Sequence, residues 1–119
     1  MSEEVIKIAV IGASGYTGQE LIRLLVMHQN VEIVGVTSRQ EAGRSLSEVF
    51  PRLRGARVAE ELTFMHPNID AIAETGASVV FLALPHGVAS EFAIGLLDKG
   101  IRVIDLSADF RLRSPEIYE

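Results

Sequence analysis

Three glycines at a regular spacing, Gly12, Gly15 and Gly18, stand between an apolar run and a helical pattern. Glycine tolerates a positive φ and lets a backbone or a ligand come close, so a turn built this way suits a bound anion. Gly12 permits a sharp turn after Ile6–Ile11, and Gly15 permits backbone N–H groups to approach a pyrophosphate. Gly18, one turn into the helix, permits that helix to pack closely on the strand. The helix start directs its unpaired N–H groups and the positive end of its dipole at the phosphates. Strand, glycine turn and helix in this order mark a dinucleotide-binding loop, although the spacing G-x-x-G-x-x-G differs from the commoner G-x-G-x-x-G. A tight turn with no ligand accounts for the same glycines, and residues further along weigh against that reading.

The second apolar run ends in Val36-Thr37-Ser38-Arg39. A domain that prefers NAD often carries Asp or Glu here, to bond the ribose 2′-hydroxyl. No carboxylate stands at this point to repel a 2′-phosphate. Ser38 can donate a hydrogen bond and the Arg39 guanidinium can bind phosphate bidentately, which points to NADP. Arg44, Arg52, Arg54 and Arg57, in the same polar stretch, read as solvated arginines. His86 follows a fourth apolar run, beside the expected nicotinamide position, where it could titrate near neutrality or donate a hydrogen bond. Pro85-His86-Gly87 reads better as a tight turn shaping the cofactor cleft than as an acid or base. Asp109 and Arg111 bracket Phe110, and could orient a substrate or tie down a loop. His28 and His66 read as structural or exposed, and the strand order puts neither on the crevice. The chain has no cysteine, so it offers no thiolate nucleophile, disulfide or thiolate metal site. No catalytic residue and no metal ligand is assigned.

These residues need elements to position them. Ile6–Ile11 reads as a buried first strand, and Tyr16–His28 as a helix with Leu21, Leu24, Leu25 and His28 on its inner face. Asn30 terminates it, and Val31–Val36 forms a second strand. Leu46, Val49 and Phe50 suggest a helical turn packed on the sheet, and Leu62–Met65 a short third strand. A brief helix, Ala71–Glu74, ends at Gly76. Ser78–Leu84 is apolar almost throughout, as a strand covered on both faces should be. Helix 88–98 presents Ala89, Phe92, Ala93 and Leu96 on one face and closes at Lys99-Gly100; Ile101–Leu106 is a fifth strand. The alternation predicts an α/β, Rossmann-like, doubly wound parallel sheet of order 3-2-1-4-5. Ligands of such sheets bind outside the carboxyl ends of the strands, where the loops beginning at Gly12, Thr37, Leu84 and Ser107 would converge.

The bulk properties narrow the class. With 119 residues the chain reads as one domain, 1–119, long enough to bury a core. Its 48% hydrophobic and 6% aromatic content suits an α/β sheet protein. A net charge of −5 argues against nucleic-acid or anionic-membrane partners, and no apolar run approaches the roughly 20 residues of a membrane span. Met1-Ser2-Glu3-Glu4 is acidic and unlike a signal peptide, which makes the cytoplasm the default compartment.

Three stretches carry a specific resemblance: Gly12-Ala13-Ser14-Gly15-Tyr16-Thr17-Gly18-Gln19-Glu20-Leu21, Ala83-Leu84-Pro85-His86-Gly87, and Leu106-Ser107-Ala108-Asp109-Phe110-Arg111-Leu112. In this order, at matching strand ends, they resemble the amino-terminal part of the N-acetyl-gamma-glutamyl-phosphate reductase family, NADPH-dependent enzymes of arginine biosynthesis. The resemblance covers essentially the whole chain. It implies reduction of an acyl phosphate to an aldehyde through a cysteine thioester, a histidine assisting as acid and base, in an enzyme that is a homo-oligomer when complete. It further implies that Gly12, Ser14, Gly15, Tyr16, Thr17 and Gly18 hold the pyrophosphate, and Ser38 and Arg39 the 2′-phosphate. Leu84, Pro85, His86 and Gly87 would lie on the nicotinamide side, and Ser107, Asp109 and Arg111 would border the substrate pocket. The family's cysteine stands in a His-Pro-Asn-Pro-Gly-Cys stretch that is absent here. His66-Pro67-Asn68 lacks the Pro-Gly-Cys and falls too early in the fold. The resemblance therefore implies an NADP(H)-binding domain without its catalytic and dimerising domain, itself inactive. Two alternatives stay open: a free-standing nucleotide-sensing module, and the related reductase of carrier-protein-linked aminoadipate phosphate in lysine biosynthesis.

Overall fold

Ile6–Ile11 (β1) is flanked on both sides by parallel strands from Ile8 onward, so the side chains of Ile8 to Ile11 alternate between two buried faces. The structure, a computed structural model, describes residues 5–12, 15–28, 30–51, 61–84 and 86–106, with side chains excepted at 86–88. The further elements are α1 (Tyr16–Val26), β2 (Val31–Thr37), α2 (Leu46–Val49), α3 (Ile69–Glu74), β3 (Val79–Leu82), α4 (His86–Asp98) and β4 (Arg102–Asp105). The strands form one parallel sheet of order β2-β1-β3-β4.

One apolar cluster joins Ile8 and Val10 of β1 to Ile22 of α1, Leu46 of α2, Phe50 and Phe64. The other joins Ala9 and Ile11 of β1 to Ile72 of α3, Val80 and Leu82 of β3, and Ala89 and Leu96 of α4. Helices thus cover both faces, as a doubly wound sheet requires. In β2 the alternation is broken once. Ile8 pairs with Ile33 but Ala9 pairs with Gly35, so Val34 is an extra residue and Ile33 and Val36 share a face despite a spacing of three.

The winding expected from sequence is present, with corrections. The sheet has four strands among the described residues, in place of five. Leu62–Met65 makes only two isolated bridges, Met65 to Thr37 in parallel and Thr63 to Ser45 in antiparallel. The outer edge of β2 is where the third strand of a 3-2-1-4-5 sheet belongs. Met65 does pair there, its N–H donating to Val36 O (2.9 Å) and its carbonyl accepting from Ser38 N (3.0 Å), while Phe64 turns to the preceding loop, its N–H donating to Arg44 O (2.9 Å) and its carbonyl accepting from Gly43 N (2.8 Å). On α1 the inward residues are Gly18, Leu21, Ile22 and Leu25, while Leu24 is 58% exposed and His28 is exposed. The burial face is therefore rotated by one residue from the expected one. The helix at residue 86 begins two residues earlier than its apolar pattern, and α3 begins at Ile69 because the Asn68 side chain caps it, accepting from Ala71 N at 2.9 Å.

Candidate functional site

Parallel pairing puts the carboxyl ends of all four strands on one edge: Ile11 lies opposite Thr37 and Leu82, and Leu82 opposite Asp105. Gly12 is the first residue past that edge and has φ +81°. Its N–H donates to the Thr37 hydroxyl (3.3 Å), whose residue is wholly buried. A Cβ at Gly12 would stand 2.6 Å from the Ala83 carbonyl oxygen and 2.7 Å from Leu84 Cδ2. Backbone conformation and close approach both demand glycine here. This one residue draws together the ends of β1, β2 and β3. Thr37 escaped the sequence reading; the only signal for it is a hydroxyl-bearing β-branched residue at the end of an apolar strand.

Gly15 differs in kind. It is the N-cap of α1 with extended backbone (φ −76°, ψ 175°), and its carbonyl accepts from Gln19 N at 2.9 Å. A Cβ on it would meet nothing among the described residues nearer than the Gly12 carbonyl oxygen at 4.0 Å. Neither its backbone conformation nor any described neighbour demands glycine at 15, although glycine caps a helix better than Ala or Val; a side chain there would stand in front of the helix start. The first turn of α1 has no acidic residue and no side-chain cap. Its opening N–H groups lack intrahelical partners, as in any helix, and that end of the dipole favours an anion. Tyr16 is 78% exposed beside this space, Thr17 is half-buried and Gly18 is buried under the helix. Ser14 lies outside the described residues.

At the end of β2, Ser38 is buried; its N–H donates to Met65 O (3.0 Å) and its hydroxyl accepts from Glu41 N (3.0 Å). This closes a turn on whose outside Arg39 is exposed. Arg44 Nη1 pairs with Glu41 Oε1 at 2.9 Å, and its Nε approaches Glu48 Oε1 at 3.9 Å. This network went unread in the sequence, although Glu41 and Arg44 stand at the i, i+3 spacing at which side chains meet in helical turns.

On the opposite side Ala83 and Leu84 are half-buried, Leu84 against the second core cluster. His86 and Gly87 open α4, and Pro85 with Ser107, Asp109 and Arg111 falls outside the described residues. Ile6 N donates to Asn30 O (2.9 Å), which places the segment after α1, His28 included, at the amino edge of the sheet. His66 corrects the strand-order reading: it follows Met65, which is bridged to Thr37, and is exposed past the carboxyl end of β2. Among the described residues no group of three or more His, Cys, Asp or Glu could hold a metal, and no helix is long and apolar enough to cross a membrane.

The family model of the semialdehyde dehydrogenase NAD binding domain matches residues 7–118. The N-acetyl-gamma-glutamyl-phosphate reductase of Akkermansia muciniphila is 60% identical over 114 residues, 96% of this chain and 33% of the relative. The [LysW]-L-2-aminoadipate/[LysW]-L-glutamate phosphate reductase of Saccharolobus solfataricus is 49% identical over 98% of this chain and 32% of its own. Among solved structures, the aspartate semialdehyde dehydrogenase of Candida albicans, with NADP, superposes with a TM-score of 0.72 at 24% identity, over 92% of this chain and 32% of that one. The chain thus spans about a third of the length of the curated relatives it matches. With this match over nearly its whole length, on a parallel sheet whose strand ends meet at Gly12, the chain belongs to the semialdehyde dehydrogenase NAD-binding domain family.

Proposed function

We propose that the chain binds NADP(H) along the carboxyl edge of its sheet, as the amino-terminal domain of a cytoplasmic reductase of arginine biosynthesis. That enzyme converts N-acetyl-gamma-glutamyl phosphate to N-acetylglutamate semialdehyde. The observation that carries the reading is the start of α1 at Gly15, where a Cβ would meet no described neighbour nearer than the Gly12 carbonyl oxygen at 4.0 Å and the first turn carries no acidic residue. The bare N–H groups and positive dipole end of that helix start suit a pyrophosphate in charge. Gly12, Ser14, Gly15, Tyr16, Thr17 and Gly18 would hold the pyrophosphate, Gly18 by keeping α1 close to β1. Arg39 would take the 2′-phosphate from the turn that Ser38 fixes. Leu84, Pro85, His86 and Gly87 would lie on the nicotinamide side, and Ser107, Asp109 and Arg111 on the substrate side. When bound, the reduced cofactor supplies a hydride.

What this chain lacks is a thiolate to hold the acyl group, since it contains no cysteine. We assign that nucleophile, and the contacts that make the enzyme oligomeric, to a further domain of a protein about three times as long, in keeping with the relatives' lengths. The test of the binding step is calorimetric titration of the chain with NADPH and NADH. Tighter binding of NADPH is expected, and absence of binding by either would overturn the reading. The Saccharolobus relative favours a second substrate, the carrier-linked aminoadipate phosphate. Assay of the longer protein with both acyl phosphates separates the two.

A further inference from the structure

Arg39 is the cation that the reading above gives to the 2′-phosphate, and the carboxylate nearest to it in sequence is Glu41. The turn folds Glu41 back, because its N–H donates to the hydroxyl of Ser38, the residue before Arg39. A carboxylate in that turn could pair with Arg39 or set a like charge beside a bound phosphate, and either would weaken recognition. Instead the Glu41 carboxylate is engaged by Arg44 Nη1 at 2.9 Å, and the Glu41 carbonyl accepts from Arg44 N at 3.0 Å. Arg44 is itself anchored to the core: its carbonyl accepts from Phe64 N (2.9 Å), and Phe64 is 2% exposed. Among the described residues Arg39 has no ion-pair partner.

We infer that Arg44 is a positioning residue for cofactor choice: by holding the Glu41 carboxylate it keeps the Arg39 guanidinium available to a phosphate on the ribose. The inference rests on the assignment of Arg39 to the 2′-phosphate. Arg44 acts through Glu41 and touches no cofactor. Its effect is therefore confined to the ligand that carries the extra phosphate, and it depends on Glu41 being an acid.

The test is calorimetric titration of the parent, R39A, R44M, R44K, E41Q and the double variant R44M/E41Q with NADPH and with NADH. R44M should weaken NADPH by about two- to fivefold, the scale of a partly exposed ion pair, and leave NADH unchanged. R44K should bind as the parent does. The double variant should recover parental NADPH affinity, because without the acid there is nothing left to restrain. A purely structural role for Arg44 predicts the opposite, a loss shared by both cofactors and not rescued by E41Q. That result, or a silent R44M, overturns the inference. Arg44 is 52% exposed, so its loss should be tolerated by the fold, and R44Q provides a second neutral replacement. R39A separates the two levels. If it weakens both cofactors equally or neither, the 2′-phosphate assignment has failed; if it is selective for NADPH while R44M is silent, only the role of Arg44 has failed.

Discussion

Replacing Arg39 by Ala removes a guanidinium from an exposed turn whose shape is kept by the Ser38 hydroxyl. NADPH binding should therefore fall by about 1.5–3 kcal/mol, the range for a hydrogen bond to a charged group, while NADH binding barely changes. Titration with both cofactors checks this, and equal losses would rule out a 2′-phosphate contact. The two glycines of the turn make a sharper pair. Gly15→Val should abolish binding at a cost to the fold of no more than about 1 kcal/mol for the poorer N-cap, because its backbone is extended and among the described residues its Cβ would meet nothing nearer than the Gly12 carbonyl oxygen at 4.0 Å. Gly12→Ala should instead destabilise the fold by more than about 1 kcal/mol, since φ is +81° and the new methyl would lie 2.6 Å from the Ala83 carbonyl oxygen. Thermal unfolding beside titration distinguishes the two outcomes. A Gly15→Val protein that folds and binds NADPH like the parent would reduce the loop to a turn.

At the scale of elements, α1 shows how packing selects among residues that sequence periodicity treats alike. Leu21, Leu24 and Leu25 all fit an inner face, yet the helix turns Ile22 wholly inward and leaves Leu24 58% exposed. The buried Gly18, one turn before Ile22, marks the side on which α1 approaches the sheet. Ile22→Ala should cost about 2–5 kcal/mol, as buried large-to-small changes do, whereas Leu24→Ala should stay within about 0.5 kcal/mol. Urea unfolding of the two variants measures the difference, and similar losses would contradict this orientation. The short α2 depends on its ends. Ser45 accepts from Glu48 N at 3.2 Å while the Glu48 carboxylate accepts from Ser45 N at 3.1 Å, a reciprocal cap. Ser45→Ala should cost about 1 kcal/mol by the same measurement.

For the whole molecule, the expected outcome is cofactor binding without turnover. A thioester needs a thiolate, and the chain has no cysteine. Acid–base help from a histidine is worth about 10² to 10⁴ in rate. Enzymic accelerations begin near roughly 10⁶. NADPH oxidation in the presence of N-acetyl-gamma-glutamyl phosphate, followed at high protein concentration, should not exceed the buffer rate. Substrate-dependent oxidation that survives stringent purification would mean that another nucleophile serves. The position of His66 bears on that assay: it lies past the carboxyl end of β2, on the same edge as Gly12, although the strand order alone placed it elsewhere.

Amino-acid order by itself determined the winding. Strand character came from β-branched and apolar runs, helix character from a period near 3.6, and the stop after α3 from Gly76, all of which are local properties of the chain. The glycine turn was legible for the same reason, since its three residues and the strand before it are contiguous. Tertiary structure decided what depends on residues distant in sequence. It made Gly12 a junction through the hydroxyl of Thr37, twenty-five residues away, and the carbonyl of Ala83. It reduced Leu62–Met65 from a strand to two isolated bridges, one to the end of β2 through Met65 and one to the preceding loop through Thr63. It also separated Gly12, where backbone and neighbours exclude a side chain, from Gly15, where among the described residues a Cβ would meet nothing nearer than 4.0 Å. That distinction turns on what stands within 4 Å of an absent side chain, and only the folded chain brings those atoms there.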